Sequence, residues 1–167
     1  MDAELYKLAE QLGHDLKQGA RSLVTAESCT GGGLGAVLTD VPGSSLWYDR
    51  GFIVYSNMAK REMLGVKTEI LARYGAVSEQ TARAMVEGAL EASHADLAVA
   101  ITGIAGPGGG TPEKPVGTVC LAWMVRKGVP ATHTERFSGD REAIRRASIE
   151  AAIHGLLSLI SSFPTKG

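Results

Sequence analysis

Apolar residues recur along this chain with two alternating periods, and the alternation outlines a fold before any motif is considered. Over residues 3 to 18, Leu5, Leu8, Ala9, Leu12 and Leu16 fall at helical spacing behind Asp2, which can cap, and predict an amphipathic helix. Ser22 to Glu27 is a short β-leaning run that ends in Ser28-Cys29-Thr30-Gly31-Gly32-Gly33. Leu34, Val37 and Leu38 then resume helical spacing and stop before Pro42-Gly43. Gly51 to Tyr55 predicts a second strand, and Ser56-Asn57 can cap a short helix carrying Lys60, Met63 and Leu64. A small helix near Thr68 to Tyr74 follows. Ser78 then opens a longer one with Ala82, Met85, Val86, Ala89 and Leu90 on one face. Asp96 to Thr102 reads as a buried strand running into a second glycine cluster, Gly103 to Gly110. Gly117 to Arg126 and Ala131 to Phe137 are β runs around the turn Lys127-Gly128-Val129-Pro130, which predicts an antiparallel hairpin. Asp140 opens a last helix whose Ile144, Ala147, Ile149, Ala152, Ile153, Leu156, Leu157 and Ile160 form a broad apolar face; the polar tail after Phe163 is expected to add little.

Strands alternating with helices for both faces predict an α/β chain: a three-layer α/β/α sandwich with a mixed, mainly parallel sheet. Ligands of such folds sit outside the carboxyl ends of strands, where both glycine clusters fall. The length of 167 residues, 44% hydrophobic and 21% charged, matches one domain spanning residues 1 to 167.

Charge narrows the partners. A formal net charge of −1 from interspersed acids and bases leaves no basic footprint for nucleic acid. No apolar run approaches the roughly 20 residues that cross a bilayer, and the charged N-terminal stretch lacks the apolar core of a signal peptide, so no membrane association is expected. Cys29 and Cys120 lack the spacing of a zinc site or a disulfide framework, so a soluble protein of the reducing cytoplasm is expected, with neither metal nor cofactor.

In the first glycine cluster, two hydroxyls and a thiol lie where a strand hands over to a helix whose free N–H groups can bind an anion. A phosphate-binding P-loop is excluded because no Gly-Lys-Ser/Thr ending follows, and the G-x-S-x-G elbow because Ser28 lacks flanking glycines. A nucleophilic Ser28 and a capping serine in a close-packed turn both remain open on this loop alone. His14, His94, His133 and His154 sit at no strand end or glycine turn, so a Ser-His-Asp arrangement has little support. Lys60 offers another base: the first turn of a helix and partial burial both lower a lysine pKa, and a neutral lysine can deprotonate a serine. A solvated helix lysine is the alternative. Thr102, Gly103 and Gly106 leave the third strand with Lys114 behind them, and could bring backbone N–H groups to a ligand. Arg141, beside the cap Asp140, could clamp a phosphate or lie exposed.

Several ordered segments carry a resemblance: Thr25-Ala26-Glu27-Ser28-Cys29-Thr30-Gly31-Gly32, Pro42-Gly43-Ser44-Ser45, Arg50-Gly51-Phe52, Tyr55-Ser56-Asn57 through Lys60, Gly75-Ala76-Val77-Ser78, Thr102-Gly103-Ile104-Ala105-Gly106-Pro107, Lys114-Pro115-Val116-Gly117-Thr118-Val119 and Phe137-Ser138-Gly139-Asp140-Arg141. Together they resemble the CinA C-terminal domain family, also called PncC, through nearly the whole chain. The resemblance implies a metal-independent nicotinamide-nucleotide amidase, which hydrolyses the carboxamide of nicotinamide mononucleotide to nicotinic acid mononucleotide and ammonia. It implies a serine and lysine pair matching Ser28 and Lys60, and a homo-oligomer. Many relatives carry an acidic residue where this chain has Met58, next to the proposed base.

In this reading Ser28, Lys60 and Tyr55 carry catalysis, with Tyr48 as another tyrosine that could orient protons. Thr30, Gly31, Gly32, Thr102, Gly103, Gly106 and Arg141 bind the small-molecule nucleotide. Cys29 is the rival nucleophile, because a thiol at a helix N-terminus is activated. The rival function is a non-catalytic nucleotide-binding module, since the family also occurs fused to a second domain in proteins linked to competence and pyridine-nucleotide repair.

Overall fold

The computed structural model describes residues 2–163, so the polar tail past Phe163 lies outside the described residues. The first helix, α1 (Ala3–Gln18), starts where the Asp2 carboxylate accepts the amides of Glu4 and Leu5. It buries Leu5, Ala9, Leu12 and Leu16, the stripe its spacing predicts. It is followed by β1 (Leu23–Glu27), α2 (Gly33–Thr39), a single 3₁₀ turn (Ser44–Leu46) and β2 (Tyr48–Ile53). Then come α3 (Asn57–Leu64), α4 (Thr68–Tyr74), α5 (Glu79–Glu91), β3 (Leu97–Gly103), β4 (Thr118–Val125), β5 (Ala131–Arg136) and α6 (Arg141–Ser161).

The second strand differs from expectation. It begins three residues before Gly51 and ends at Ile53, two before Tyr55. It lies at the edge of the sheet, so Asp49 and Arg50 stand in solvent and apolar patterning is a poor guide to it. The apolar pair Val54-Tyr55 leaves the strand instead, and the carbonyls of both residues are used elsewhere.

The sheet order is β2-β1-β3-β4-β5, with β2, β1 and β3 parallel and β3-β4 and β4-β5 antiparallel. Four strands therefore run one way and β4 runs against them, a mixed sheet as expected. Along β3, Leu97, Val99 and Ile101 pack into one core with α1, α2 and α6, while Ala98 and Ala100 face the other core with α3 and α5. The second face is paved with Ala26, Ala98, Ala100 and Ala122, which lets α5 lie close on the strands.

The path of the chain fixes where a ligand can enter. From β1 it crosses one face through α2 to reach β2, then returns over the other face through α3, α4 and α5 to β3. Strands β2 and β3 flank β1, so the carboxyl ends of β1 and β3 border the crevice where the winding reverses.

Candidate active site

Ser28 extends the parallel ladder by one step beyond β1, its amide donating to the Ile101 carbonyl at 3.0 Å. Strand alternation then assigns the two candidate nucleophiles to different layers. Ser28 keeps phase with Val24 and Ala26 and faces the α3-α5 side, whereas Cys29 joins the core beneath α6. The thiol is 6% exposed, lies against Gly103, and burial pushes its pKa up to about 11. A thiol held in the layer away from Lys60, with its ionisation disfavoured by burial, is poorly placed for attack.

Lys60 comes from the first turn of α3, a helix capped by the Ser56 hydroxyl on the Ala59 amide and closed by left-handed Gly65. Its side chain is only 1% exposed. The Nζ atom lies 3.1 Å from Ser28 Oγ, 3.0 Å from the Val54 carbonyl and 3.1 Å from the Tyr55 carbonyl. No carboxylate forms an ion pair with it among the described residues. Burial without a counter-ion disfavours the ammonium, so the Lys60 pKa falls below the ordinary lysine range; the nearby Cys29 sulfur opposes this to a lesser degree. Neutral Lys60 can donate its two N–H groups to the Val54 and Tyr55 carbonyls and keep its lone pair for the Ser28 hydroxyl.

Two features bring Lys60 there. The edge strand releases the chain at Val54, turning two successive carbonyls toward the amine. Helix α3 can also approach α5 closely because Gly88 has no side chain: a Cβ there would lie 1.9 Å from the Leu64 carbonyl oxygen.

The loop around Ser28 is built from two overlapping turns, Gly31 N–H to the Ser28 carbonyl and Gly33 N–H to the Thr30 carbonyl. Gly31 and Gly32, central in the second turn, have φ of 58° and 97°, which glycine adopts without steric cost. Glu27 braces the loop from the opposite face. Its buried carboxylate accepts the Thr30 hydroxyl at 2.6 Å and the amides of Leu34 at 2.9 Å and Gly35 at 3.0 Å. Donors at the start of α2 that the sequence suggested for a bound anion are therefore taken by the protein's own carboxylate. From α6, Arg145 donates to the carbonyls of Cys29 and Thr30, each at 3.2 Å.

The other predicted residues divide into two groups. Tyr55 meets Ser28 through its backbone, because the carbonyl that receives Lys60 also lies 3.4 Å from Ser28 Oγ. Its side chain is 61% exposed, and the phenol oxygen receives Arg141 at 3.3 Å. The same Arg141 donates to the Gly106 carbonyl at 2.7 Å, linking the loops that follow β2 and β3. Gly103 lies beside Cys29 at the end of β3. The remaining groups point elsewhere: the Thr102 hydroxyl donates to the Ala76 carbonyl, Thr30 to Glu27, and Lys114 Nζ to the Tyr74 carbonyl. The Tyr48 hydroxyl pairs with Thr25 at 2.7 Å on the face away from Ser28. Met58 is an exposed side chain of α3.

Sequence reading missed Glu27 and Arg145 as parts of the site. Glu27 had a usable signal, a charged residue inside a buried apolar run, which demands a built set of donors. Arg145 carried only its spacing four residues from Arg141 on one helix face. A recess of about 570 Å³ among α3, α4 and α5 is lined by Met63, Lys67, Ile70 and Gly88 and does not include Ser28. At the strand ends, by contrast, a serine hydroxyl and a buried lysine amine meet.

The profile of the CinA C-terminal domain matches residues 5–160. The chain belongs to the CinA C-terminal domain family. Among its relatives, the nicotinamide-nucleotide amidohydrolase PncC of Escherichia coli (strain K12) is 52% identical over 155 residues, 93% of this chain and 94% of that protein. The protein of the same name from Pseudomonas putida is 49% identical over 152 residues. A CinA-like protein of Akkermansia muciniphila is 56% identical over 133 residues, which make up 32% of that longer protein. Among solved structures, the competence/damage inducible protein CihA from Agrobacterium tumefaciens superposes with a TM-score of 0.93 at 48% identity, covering 95% of this chain and 97% of that one. This member of the CinA family thus matches PncC amidohydrolases along nearly their full length, and no helix among its described residues is long and apolar enough to cross a membrane.

Proposed function

We propose that this chain is a nicotinamide-nucleotide amidase that hydrolyses the carboxamide of nicotinamide mononucleotide to nicotinic acid mononucleotide and ammonia. The observation that carries the reading is Lys60 Nζ, buried without a counter-ion, 3.1 Å from Ser28 Oγ. The names of the full-length PncC relatives support the choice of substrate.

Neutral Lys60 takes the Ser28 proton as Oγ attacks the carboxamide carbon, forming a tetrahedral intermediate. Backbone N–H groups of the Ser28 loop hold its oxyanion. The Gly31 and Gly33 amides are used within the turns, which leaves those of Cys29, Thr30 and Gly32 as candidates. The lysine ammonium then returns its proton to the departing nitrogen, the C–N bond breaks, and ammonia leaves an acyl-serine. Lys60 next deprotonates a water that attacks the ester, and Ser28 recovers its proton as the acid is released. No step in this sequence requires a metal. Arg141, held between Gly106 and Tyr55, meets the phosphate, and the backbone of Gly103 and Gly106 borders the same crevice.

The test is ammonia release from nicotinamide mononucleotide by chelator-treated protein, compared with Ser28→Ala. Turnover that disappears in the variant supports the reading. Undiminished turnover in Ser28→Ala overturns the nucleophile, and tight binding without turnover in the parent protein favours a nucleotide-binding module.

A further inference from the structure

Arg145 presents a partly buried cation with no carboxylate ion pair among the described residues, although its neighbour Arg146 pairs with Asp2, Glu4 and Glu150. Its guanidinium is spent on two consecutive backbone carbonyls instead, Nε on Cys29 and Nη2 on Thr30. Two parallel donors in a rigid planar group fix orientation as well as position, which a single ammonium cannot do.

The carbonyl of Cys29 and the amide of Thr30 belong to one peptide plane. In a trans peptide they point in opposite directions. The one cis bond among the described residues is Gly106-Pro107, so the Cys29-Thr30 peptide is trans. Drawing the Cys29 carbonyl toward α6 turns the Thr30 N–H away from α6. Helix α6 covers the Cys29 face of the sheet, and Ser28 faces the other side. The Thr30 amide donates to no protein group among the described residues, while its neighbours Gly31 and Gly33 are occupied within the turns.

We propose that Arg145 is a positioning residue of the amidase: it aims the Thr30 amide at the oxyanion that forms on Ser28 attack. The proposal rests on Ser28 being the nucleophile. Arg145 touches no reacting atom; it holds the peptide that does. Its charge also lies behind that peptide and favours negative charge in front of it.

Steady-state kinetics of Arg145→Met and Arg145→Lys on nicotinamide mononucleotide, with melting temperatures, test this. Because one oxyanion donor loses its aim, Arg145→Met lowers kcat roughly 30- to 100-fold with KM within about threefold. The pH limb set by Lys60 stays in place, since the base is untouched. Lysine restores a small part of the rate, and free guanidinium ion accelerates Arg145→Ala but leaves the parent protein unaffected.

A kcat within twofold of the parent, a loss confined to KM, or a displaced pH limb each overturns the proposal. Should Arg145→Met fail to fold, the same readings on Arg145→Lys decide it. Sulfonyl fluoride labelling separates the two levels. A parent protein that neither releases ammonia nor is sulfonylated on Ser28 removes the amidase reading and this proposal with it. A parent active on both counts, with an equally active Arg145→Met, removes the role of Arg145 alone.

Discussion

The two glycine-rich loops at the crevice leave neighbouring parallel strands and are built in opposite ways. The loop after β1 is held firmly on the α2-α6 side, where Glu27 accepts three donors and Arg145 holds two carbonyls. Residues 107–113, after β3, are exposed, and their internal bonds are a pair between Thr111 and Lys114. Glycine serves two purposes here: at Gly31 and Gly32 it permits left-handed turns inside a rigid frame, and at Gly108 nothing lies within 4 Å of where a Cβ would stand. A nucleophile needs fixed geometry, whereas a segment beside a bound ligand can adapt.

Breaking the rigid loop at its centre has the largest expected effect. Ser28→Ala should lower the rate of ammonia release by about 10⁴-fold or more, while Cys29→Ala keeps the rate within about tenfold. Equal losses in both variants would contradict the division between layers.

Lys60→Met comes next, with a loss of about 10³-fold, and it adds a signature in pH. The base acts when neutral, so the parent rate rises with pH as Lys60 deprotonates and levels off below the ordinary lysine range. Stability moves in the same direction. Between the lowered folded pKa and the ordinary lysine value the unfolded chain binds more protons, so folding is favoured as pH rises. Lys60→Met should flatten that slope in denaturant titrations at several pH values, because the group whose pKa differs between the folded and unfolded chain is gone.

Glu27→Gln tests the brace. An amide cannot accept all three donors, so a buried N–H is left without a partner, and unfolding should become easier by about 2 to 4 kcal/mol. The rate should fall as well, because the Ser28 loop loses its floor. An unchanged melting temperature would show the brace to be dispensable.

Arg141→Ala probes the seam between the loops that follow β2 and β3. It should raise KM about tenfold with a smaller change in kcat, as expected for a group that binds substrate away from the reacting atoms. Gly108→Ala, on the open loop, should leave stability within about 0.5 kcal/mol.

Much of the frame was legible from local pattern. The α4 helix at Thr68–Tyr74 and the caps Asp2, Ser56, Ser78 and Asp140 follow from residues within a few positions of each other. The edge strand was misread because solvent on its outer side removes the apolar signal. The site was legible in part: Ser28 and Lys60 could be nominated from a strand end and a helix start, while Glu27 and Arg145 stayed hidden. Glu27 is recognisable once its donors are known, and those arrive from a turn and a helix that follow it. Arg145 lies 116 residues from the Cys29 carbonyl it holds.

Local sequence thus specified the elements, the glycine turns and the side chains capable of chemistry, because periodicity, capping and left-handed φ are short-range requirements. Folding in three dimensions settled which of the two adjacent side chains, Ser28 or Cys29, meets Lys60. Ser28 and Cys29 differ by one step of a two-residue period, and that step sends one toward Lys60 and the other into the core beneath α6. The lowered pKa of Lys60 is likewise a product of packing, since it comes from burial beneath segments distant in sequence, including a serine 32 residues away. Desolvation and strand phase belong to the assembled layers, and no single segment carries them.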